Sequence, residues 1–294
     1  MAPRRLIPVL PTALTLANLV CGFIAMAKTV DALQFAARGA GPLDTAFADR
    51  IVSACWFVMA AMVFDALDGR VARLMNQASP FGVQLDSLAD VVTFGLAPAL
   101  MAKAAYEHTI REMGLVWHPG VVTLLCSLYL MGAALRLARF NTQTDGDETS
   151  HLMFVGLPSP AAAATVATTL FFVFTGRTEV GLSPEAADRV GVMLLRGLPG
   201  IAAALGLLMI SKVRYVHFAN RYVKSRARFA TLVKLAVIGW LVVVFHEWLL
   251  FAGSVVYVIG GAALWLVARA RGHSPVDELP APWDPEDEEE EAAT

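Results

Sequence analysis

Asp65-Ala66-Leu67-Asp68-Gly69-Arg70-Val71-Ala72-Arg73, followed by Gly82, Asp86 and Asp90, interrupts a long apolar passage. Upstream runs Ile51-Val52-Ser53-Ala54-Cys55-Trp56-Phe57-Val58-Met59-Ala60-Ala61-Met62-Val63-Phe64; downstream runs Val91-Val92-Thr93-Phe94-Gly95-Leu96-Ala97-Pro98-Ala99-Leu100. Such runs belong to membrane-crossing helices. A carboxylate at mid-bilayer costs on the order of 2.5–3.5 kcal/mol. Four of them beside these helices need something that offsets the cost.

Their spacing indicates what does. Asp65 and Asp68 are i,i+3, and Asp86 and Asp90 are i,i+4, so each pair shares a helix face. Ser79 followed by Pro80 reads as an N-cap with Pro at the first helical position, which starts a new helix. Two antiparallel helices joined near residue 78 place each pair about ten residues, or about 15 Å, from the turn. The four acids then converge on one spot. Arg70 and Arg73 are too few to neutralise them, which argues against a plain salt-bridged hairpin. An all-oxygen cluster suits Mg²⁺, Mn²⁺ or Ca²⁺. Two such cations clamp a phosphate and stabilise charge on the attacking and leaving oxygens. Asp65, Asp68 and Asp86 are the natural ligand trio, with Asp90 as fourth ligand or general base. Gly69 removes a side chain next to Asp68, and Gly82 does the same one turn before Asp86, which makes room for a nucleotide. Ala72 is small on the face of Asp68. Arg73 offers planar donors to a phosphate.

The spacing Asp-x2-Asp-Gly-x2-Ala-Arg-x8-Gly-x3-Asp-x3-Asp resembles the signature of the CDP-alcohol phosphotransferase family at all eight fixed positions. The resemblance implies a six-helix membrane core and a homodimer. It implies two divalent cations, Mg²⁺ or Mn²⁺ with Ca²⁺ as a non-native occupant, held by Asp65, Asp68, Asp86 and Asp90. It further implies that an alcohol attacks the β-phosphate of a CDP-linked group, that CMP leaves, and that Asp90 takes the hydroxyl proton. Gly69, Ala72, Arg73 and Gly82 match positions that line the CDP pocket.

Other motifs look like the membrane-bound phosphatidylserine synthase branch of that family. They are Pro11-Thr12-Ala13-Leu14-Thr15-Leu16-Ala17-Asn18-Leu19-Val20-Cys21-Gly22, Ser79-Pro80-Phe81-Gly82-Val83-Gln84-Leu85-Asp86-Ser87-Leu88-Ala89-Asp90, Phe94-Gly95-Leu96-Ala97-Pro98, Arg136-Leu137-Ala138-Arg139-Phe140-Asn141 and Gly156-Leu157-Pro158-Ser159-Pro160. The branch implies CDP-diacylglycerol and L-serine as substrates. Serine carries a carboxylate, so its pocket needs a cation beyond the metals. Arg136 and Arg139, one turn apart with Asn141 close by, fit that role or serve as positive-inside anchors on lipid headgroups. Asn18 bonds the cytidine or a neighbouring helix, and Ser79 joins the candidate substrate contacts. Rival readings are the same chemistry on glycerol 3-phosphate or an inositol phosphate, and a divalent-cation transporter that filters ions through the four aspartates.

The 294 residues carry few charges, and apolar segments recur throughout, which excludes a soluble globular chain. The expected fold is an all-α polytopic membrane protein of about eight spans: near 13–30, 47 into the Asp motif, 80–105, 121–139, 157–174, 190–210, 231–250 and 253–267. The last two are expected as a tight hairpin turning at Leu250-Phe251-Ala252. The start Met1-Ala2-Pro3-Arg4-Arg5 is positively charged but precedes no convincing cleavage site, so the first span is read as retained. Domains follow as a core over 1–211, a basic loop with the C-terminal hairpin over 212–272, and an acidic tail over 273–294. The tail is proline-rich without an apolar face and reads as disordered.

The loops with Arg4, Arg5, Arg70, Arg73, Arg136, Arg139, Arg269, Arg271 and the basic run from Lys212 to Arg228 outweigh those on the other side in Lys and Arg. The positive-inside rule places the acids and both termini in the cytoplasm, with the chain in a bacterial inner membrane. The basic run suits anionic lipid headgroups rather than nucleic acid. Cys21, Cys55 and Cys126 sit in apolar segments without paired spacing and read as packing residues. The six histidines show no ligand spacing.

Overall fold

A helix in lipid satisfies its backbone internally, so apolar runs of this length fold as helices and pack side by side. The computed structural model describes residues 9–36, 45–75, 79–111, 117–143, 154–175, 183–211, 213–215 and 246–270. Its helices are α1 (Val9–Ala36), α2 (Thr45–Leu74), α3 (Pro80–Asp90), α4 (Ala97–Arg111), α5 (Pro119–Gln143), α6 (Ser159–Phe174), α7 (Pro184–Ile210) and α8 (His246–Ala270). Val91–Leu96 is a π-helical segment that joins α3 to α4 in one continuous rod. Among the described residues six helical segments are long and apolar enough to cross a membrane, counting α3 to α4 as one. The chain is an all-α polytopic membrane protein.

The helix α6 is different. Its 16 residues span about 24 Å, less than a bilayer core. It is nonetheless the inner helix: Ala162, Ala163 and the whole run Thr165–Val173 are buried. Helices α2, α4, α7 and α8 surround it. Its hydroxyls turn back on its own backbone, as in the 2.6 Å bond from Thr169 Oγ1 to the Thr165 carbonyl. They therefore add no unpaired polar group to the core.

Lipid tails are as apolar as the side chains, so helices associate in membranes through close packing of small residues. The core follows that rule, with Ala25, Ala54, Ala61, Ala97, Ala133, Ala163 and Ala202 buried between helices. Two glycine contacts set the closest approaches. A methyl on Gly22 of α1 would overlap Thr93 in the π segment, and a methyl on Gly132 of α5 would overlap the backbone of Gly206 on α7. Within the π segment the Phe94 carbonyl accepts a 2.8 Å hydrogen bond from the buried Tyr129 hydroxyl.

Before α6, a short loop doubles back on the chain. Phe154–Val155 pairs antiparallel with Arg214–Tyr215. Gly156 follows at φ 93°, a conformation that favours glycine, and its N–H donates to the Val213 carbonyl at 2.7 Å. The Leu157 N–H donates to the Leu208 carbonyl at 3.1 Å. This knot fixes where α6 begins.

Five of the first six expected spans coincide with a helical segment that runs a few residues longer, whereas the fifth, 157–174, is met by the shorter α6. Cys21, Cys55 and Cys126 are free and buried. The expected turn at Leu250-Phe251-Ala252 is not there: α8 passes straight through it. Phe251 lies inside the helix and stacks on Phe172, while Ser254 bonds Thr168, so residues within and just past the expected turn pack on α6. The expected seventh span lies outside the described residues except its last five, which open α8. The basic run past Tyr215 and the acidic tail also lie outside them.

The glycine contacts give a direct check. Overpacking costs about 1–3 kcal/mol, so Gly132→Ala should lower the melting temperature of the detergent-solubilised protein. Gly200 has nothing within 4 Å of an added Cβ, so Gly200→Ala should leave it unchanged or raise it.

Candidate metal centre and active site

The site forms where α2 ends and α3 begins. Ser79 sits at φ −130° and ψ 147°, and its Oγ accepts the Gly82 N–H at 3.1 Å. That cap, with Pro80 at the first helical position, sets the start of α3 and hence the height of Asp86. Asp65 and Asp68 come from the facing end of α2. Asp65, Asp68 and Asp86 each bring one carboxylate oxygen into a group whose members all lie within 4.8 Å of one another. Asp68 is buried, and the other two are half-buried. At about 5 Å and an effective dielectric of 20, each pair of such charges repels by about 3 kcal/mol.

Asp90 ends α3 beside this triad and is buried. The charges of Asp65 and Asp86 both act on it. Its Oδ1 accepts a 3.2 Å hydrogen bond from Asn18 Nδ2. The Asn18 carbonyl in turn accepts from Thr93 Oγ1 at 3.2 Å, which ties α1 to the π segment just past Asp90. One turn before Asn18, the Thr15 hydroxyl lies 2.9 Å from Asp68 Oδ2 and 3.1 Å from the Pro11 carbonyl. So α1 supports both ends of the acidic cluster. The Thr12, Thr15 and Asn18 spacing is the sequence signal for Thr15: three polar residues three apart on the otherwise apolar first half of α1.

Arg136 supplies opposing positive charge to Asp65 and Asp90 from α5. It is half-buried, and its Nη1 donates to Ser159 Oγ at 2.9 Å, at the start of α6. Asn141 goes elsewhere: it exchanges hydrogen bonds with Ser87, at 2.9 Å through its Nδ2, and so latches α5 to α3 next to Asp86. Arg139 is half-buried, and its described hydrogen bond is a backbone one, with its carbonyl accepting from Thr142 Oγ1 at 2.9 Å. Gly69 and Ala72 are half-buried on the α2 side of the cluster. A Cβ on Gly82 would meet only Ser79 Oγ, at 3.2 Å, so the rest of that flank is open. The side chain of Arg73 lies outside the described residues. Sequence reasoning did not single out Ser87 or Ser159, whose partners are on helices distant in the chain.

Among the described residues no ion pair joins an arginine to any of the four acids. The Asp86 Oδ1 atom is buried and has no hydrogen-bond partner among them, and the same holds for Asn18 Oδ1 and Thr12 Oγ1. A buried carboxylate oxygen in that state is costly unless something binds it. Three convergent carboxylates with an orphaned oxygen fit a hard divalent cation.

The fold and these acids agree with sequence comparison. Residues 8–195 match the CDP-alcohol phosphatidyltransferase family, and the chain belongs to that family. Within it the chain is similar to proteins named CDP-diacylglycerol–serine O-phosphatidyltransferase. The Helicobacter pylori protein is 35% identical over 174 residues, 58% of this chain and 62% of that protein. The Bacillus subtilis protein is 30% identical over 210 residues, 71% of this chain and 90% of that protein. The Saccharomyces cerevisiae protein is 39% identical over 116 residues, 38% of each chain. The match thus spans less than two thirds of the Helicobacter protein's length.

The bond from Thr15 predicts a measurable loss. Removing a partner that orients a ligand typically costs 10–100-fold in metal affinity. Thr15→Val should therefore weaken Mn²⁺ binding by about tenfold in calorimetry, while Thr123→Val, whose exposed hydroxyl bonds only the Pro119 carbonyl, should not.

Proposed function

We propose that this protein transfers the phosphatidyl group of CDP-diacylglycerol to the hydroxyl of L-serine, giving phosphatidylserine and CMP. The observation that carries the proposal is the convergence of Asp65, Asp68 and Asp86, with Asp90 held beside them by Asn18. The names of the relatives support the choice of substrates.

Asp65, Asp68 and Asp86 would hold the divalent cations, two in number and Mg²⁺ or Mn²⁺ in kind, with Asp90 as a further ligand. When bound, the cations would neutralise the pyrophosphate and stabilise charge on the attacking and leaving oxygens. The protein's own groups do the rest. Gly69, Ala72 and Gly82 leave space for the CDP moiety, and Arg73 supplies planar donors to its phosphates. Asp90 accepts the proton of the serine hydroxyl as that oxygen bonds the β-phosphorus and the bond to CMP breaks. Asn18 orients the Asp90 carboxylate for this task. Arg136, fixed by Ser159 and directed at the Asp90 side of the cluster, pairs with the serine carboxylate. Asn141 and Ser79 act on substrate indirectly, through the placement of α3.

The acids face the cytoplasm of a bacterial inner membrane, where serine is supplied, and the acyl chains enter from the bilayer. The working unit is a homodimer. The positive-inside distribution and the family resemblance support these assignments.

Membranes that contain the protein should release CMP from CDP-diacylglycerol with L-serine and accumulate phosphatidylserine. Glycerol 3-phosphate and inositol phosphates should not replace serine, and absence of serine incorporation would sink the proposal. Asp90→Asn should reduce turnover by about 10²–10⁴-fold while CDP-lipid binding stays near wild type; retained turnover would remove Asp90 from the role of base.

A further inference from the structure

Asp90 is the last residue of α3, and the π-helical segment Val91–Leu96 follows it directly. Such π-helical turns are rare and occur mostly at functional sites. This one is wedged between two helices. On the α5 side a Cβ on Gly95 would meet Leu130 at 3.2 Å and Ala133 at 3.3 Å, and the Tyr129 hydroxyl donates to the Phe94 carbonyl at 2.8 Å. On the α1 side the fully buried Thr93 donates from its Oγ1 to the Asn18 carbonyl at 3.2 Å. Gly22, one turn further along α1, lies so close to Thr93 that a methyl there would overlap it.

Asn18 therefore meets the rod of α3 and α4 twice. Its side-chain Nδ2 donates to Asp90 Oδ1 at 3.2 Å, and its backbone carbonyl accepts from Thr93. Asn18 is itself fully buried, and its Oδ1 has no hydrogen-bond partner among the described residues. The amide is thus turned by its bond to Asp90, and the place of the α1 backbone decides whether that bond forms. A donor–acceptor distance of about 3.6 Å is no longer a hydrogen bond. Withdrawal of α1 by about 0.4 Å would therefore release Asp90. The other hydroxyl of α1 at the acids, Thr15, bonds Asp68 and so ties α1 to α2 rather than to the rod. Thr93 supplies the tie to the rod, from a platform that α5 fixes on its far side.

We propose that Thr93 is a positioning residue for the reaction: its hydroxyl holds the Asn18 backbone so that the Asn18 amide keeps the Asp90 carboxylate turned toward the acceptor hydroxyl. The proposal rests on the reading above in which Asp90 is the base. It gives the π segment a task, although the segment contributes none of the acids.

The test uses the full-length protein in mixed micelles at saturating divalent cation. Initial rates of CMP release are measured while acceptor and CDP-diacylglycerol are varied separately. Thr93→Val keeps the shape of the side chain and removes the hydroxyl. It should lower kcat by about fivefold or more, with both KM values within about twofold of wild type. Thr93→Ser keeps the hydroxyl and removes the methyl, and it should recover kcat to within about twofold. In an Asn18→Ala background Thr93→Val should add less than about twofold, because the two residues act as a unit. Full turnover in Thr93→Val with a loss in Thr93→Ser marks packing against Gly22 and overturns the proposal. So does an equal loss in both variants, a loss carried by the KM values, or a loss that persists undiminished in Asn18→Ala. Asp90→Asn, measured alongside, separates the two claims. Retained turnover in Asp90→Asn removes the base and the proposal with it. Lost turnover there, with full turnover in Thr93→Val, keeps the base and overturns the role of Thr93 alone. The rates are read with whichever alcohol the wild type accepts, so the choice of serine does not enter.

Discussion

Like charges gathered in a medium of low dielectric repel, and the structure is arranged around that constraint. Asp65, Asp68 and Asp86 meet within 4.8 Å at the junction of two membrane helices, with Asp90 beside them. Among the described residues no ion pair joins an arginine to any of the four, and the Arg136 charge opposes those of Asp65 and Asp90. A cluster of this kind suits a divalent cation, which would offset the repulsion. The apolar helices that make the acids costly are also the ones that hold them together.

Rigidity comes from outside the motif. Helix α1 contributes Thr15 to Asp68 and Asn18 to Asp90. The close contact of Gly22 with Thr93 lets α1 approach near enough to do so. The π-helical segment directly after Asp90 turns Thr93 toward Asn18, while Tyr129 takes up the Phe94 carbonyl. Asn141 and Ser87 join α5 to α3 on the other flank. The acids are therefore held by two helices besides their own, α1 and α5, and by the π segment that continues α3.

What could be read from the sequence was local. The spacing of the aspartates and the Ser79-Pro80 cap depend on neighbouring residues, and both appear as expected in the helices observed. The partners of the acids could not be read in this way: Thr15 and Asp68 are 53 residues apart, and Asn18 and Asp90 are 72 apart. Polar residues on an apolar helix announce that a partner exists but not which one. Arg136 allowed two readings at the sequence level, an anchor or a ligand, and the structure adds what neither reading contained: its hydrogen bond to Ser159 and its charge opposite Asp65 and Asp90. The C-terminal turn was misread because His246, Glu247 and Gly253 punctuate a long apolar run. A helix tolerates an isolated glycine, and Gly253 has open space around it. Packing of Phe251 and Ser254 on α6 decides the matter, and packing is not a local property.

The central claim is that the acids exist to hold a pair of divalent cations. Electron paramagnetic resonance of the purified protein titrated with Mn²⁺ tests it most directly. The account predicts two equivalents of Mn²⁺ per chain with the signature of a spin-coupled pair, lost together in Asp86→Asn. Two independent ions, no tight binding, or a pair that persists unchanged in Asp86→Asn would contradict it.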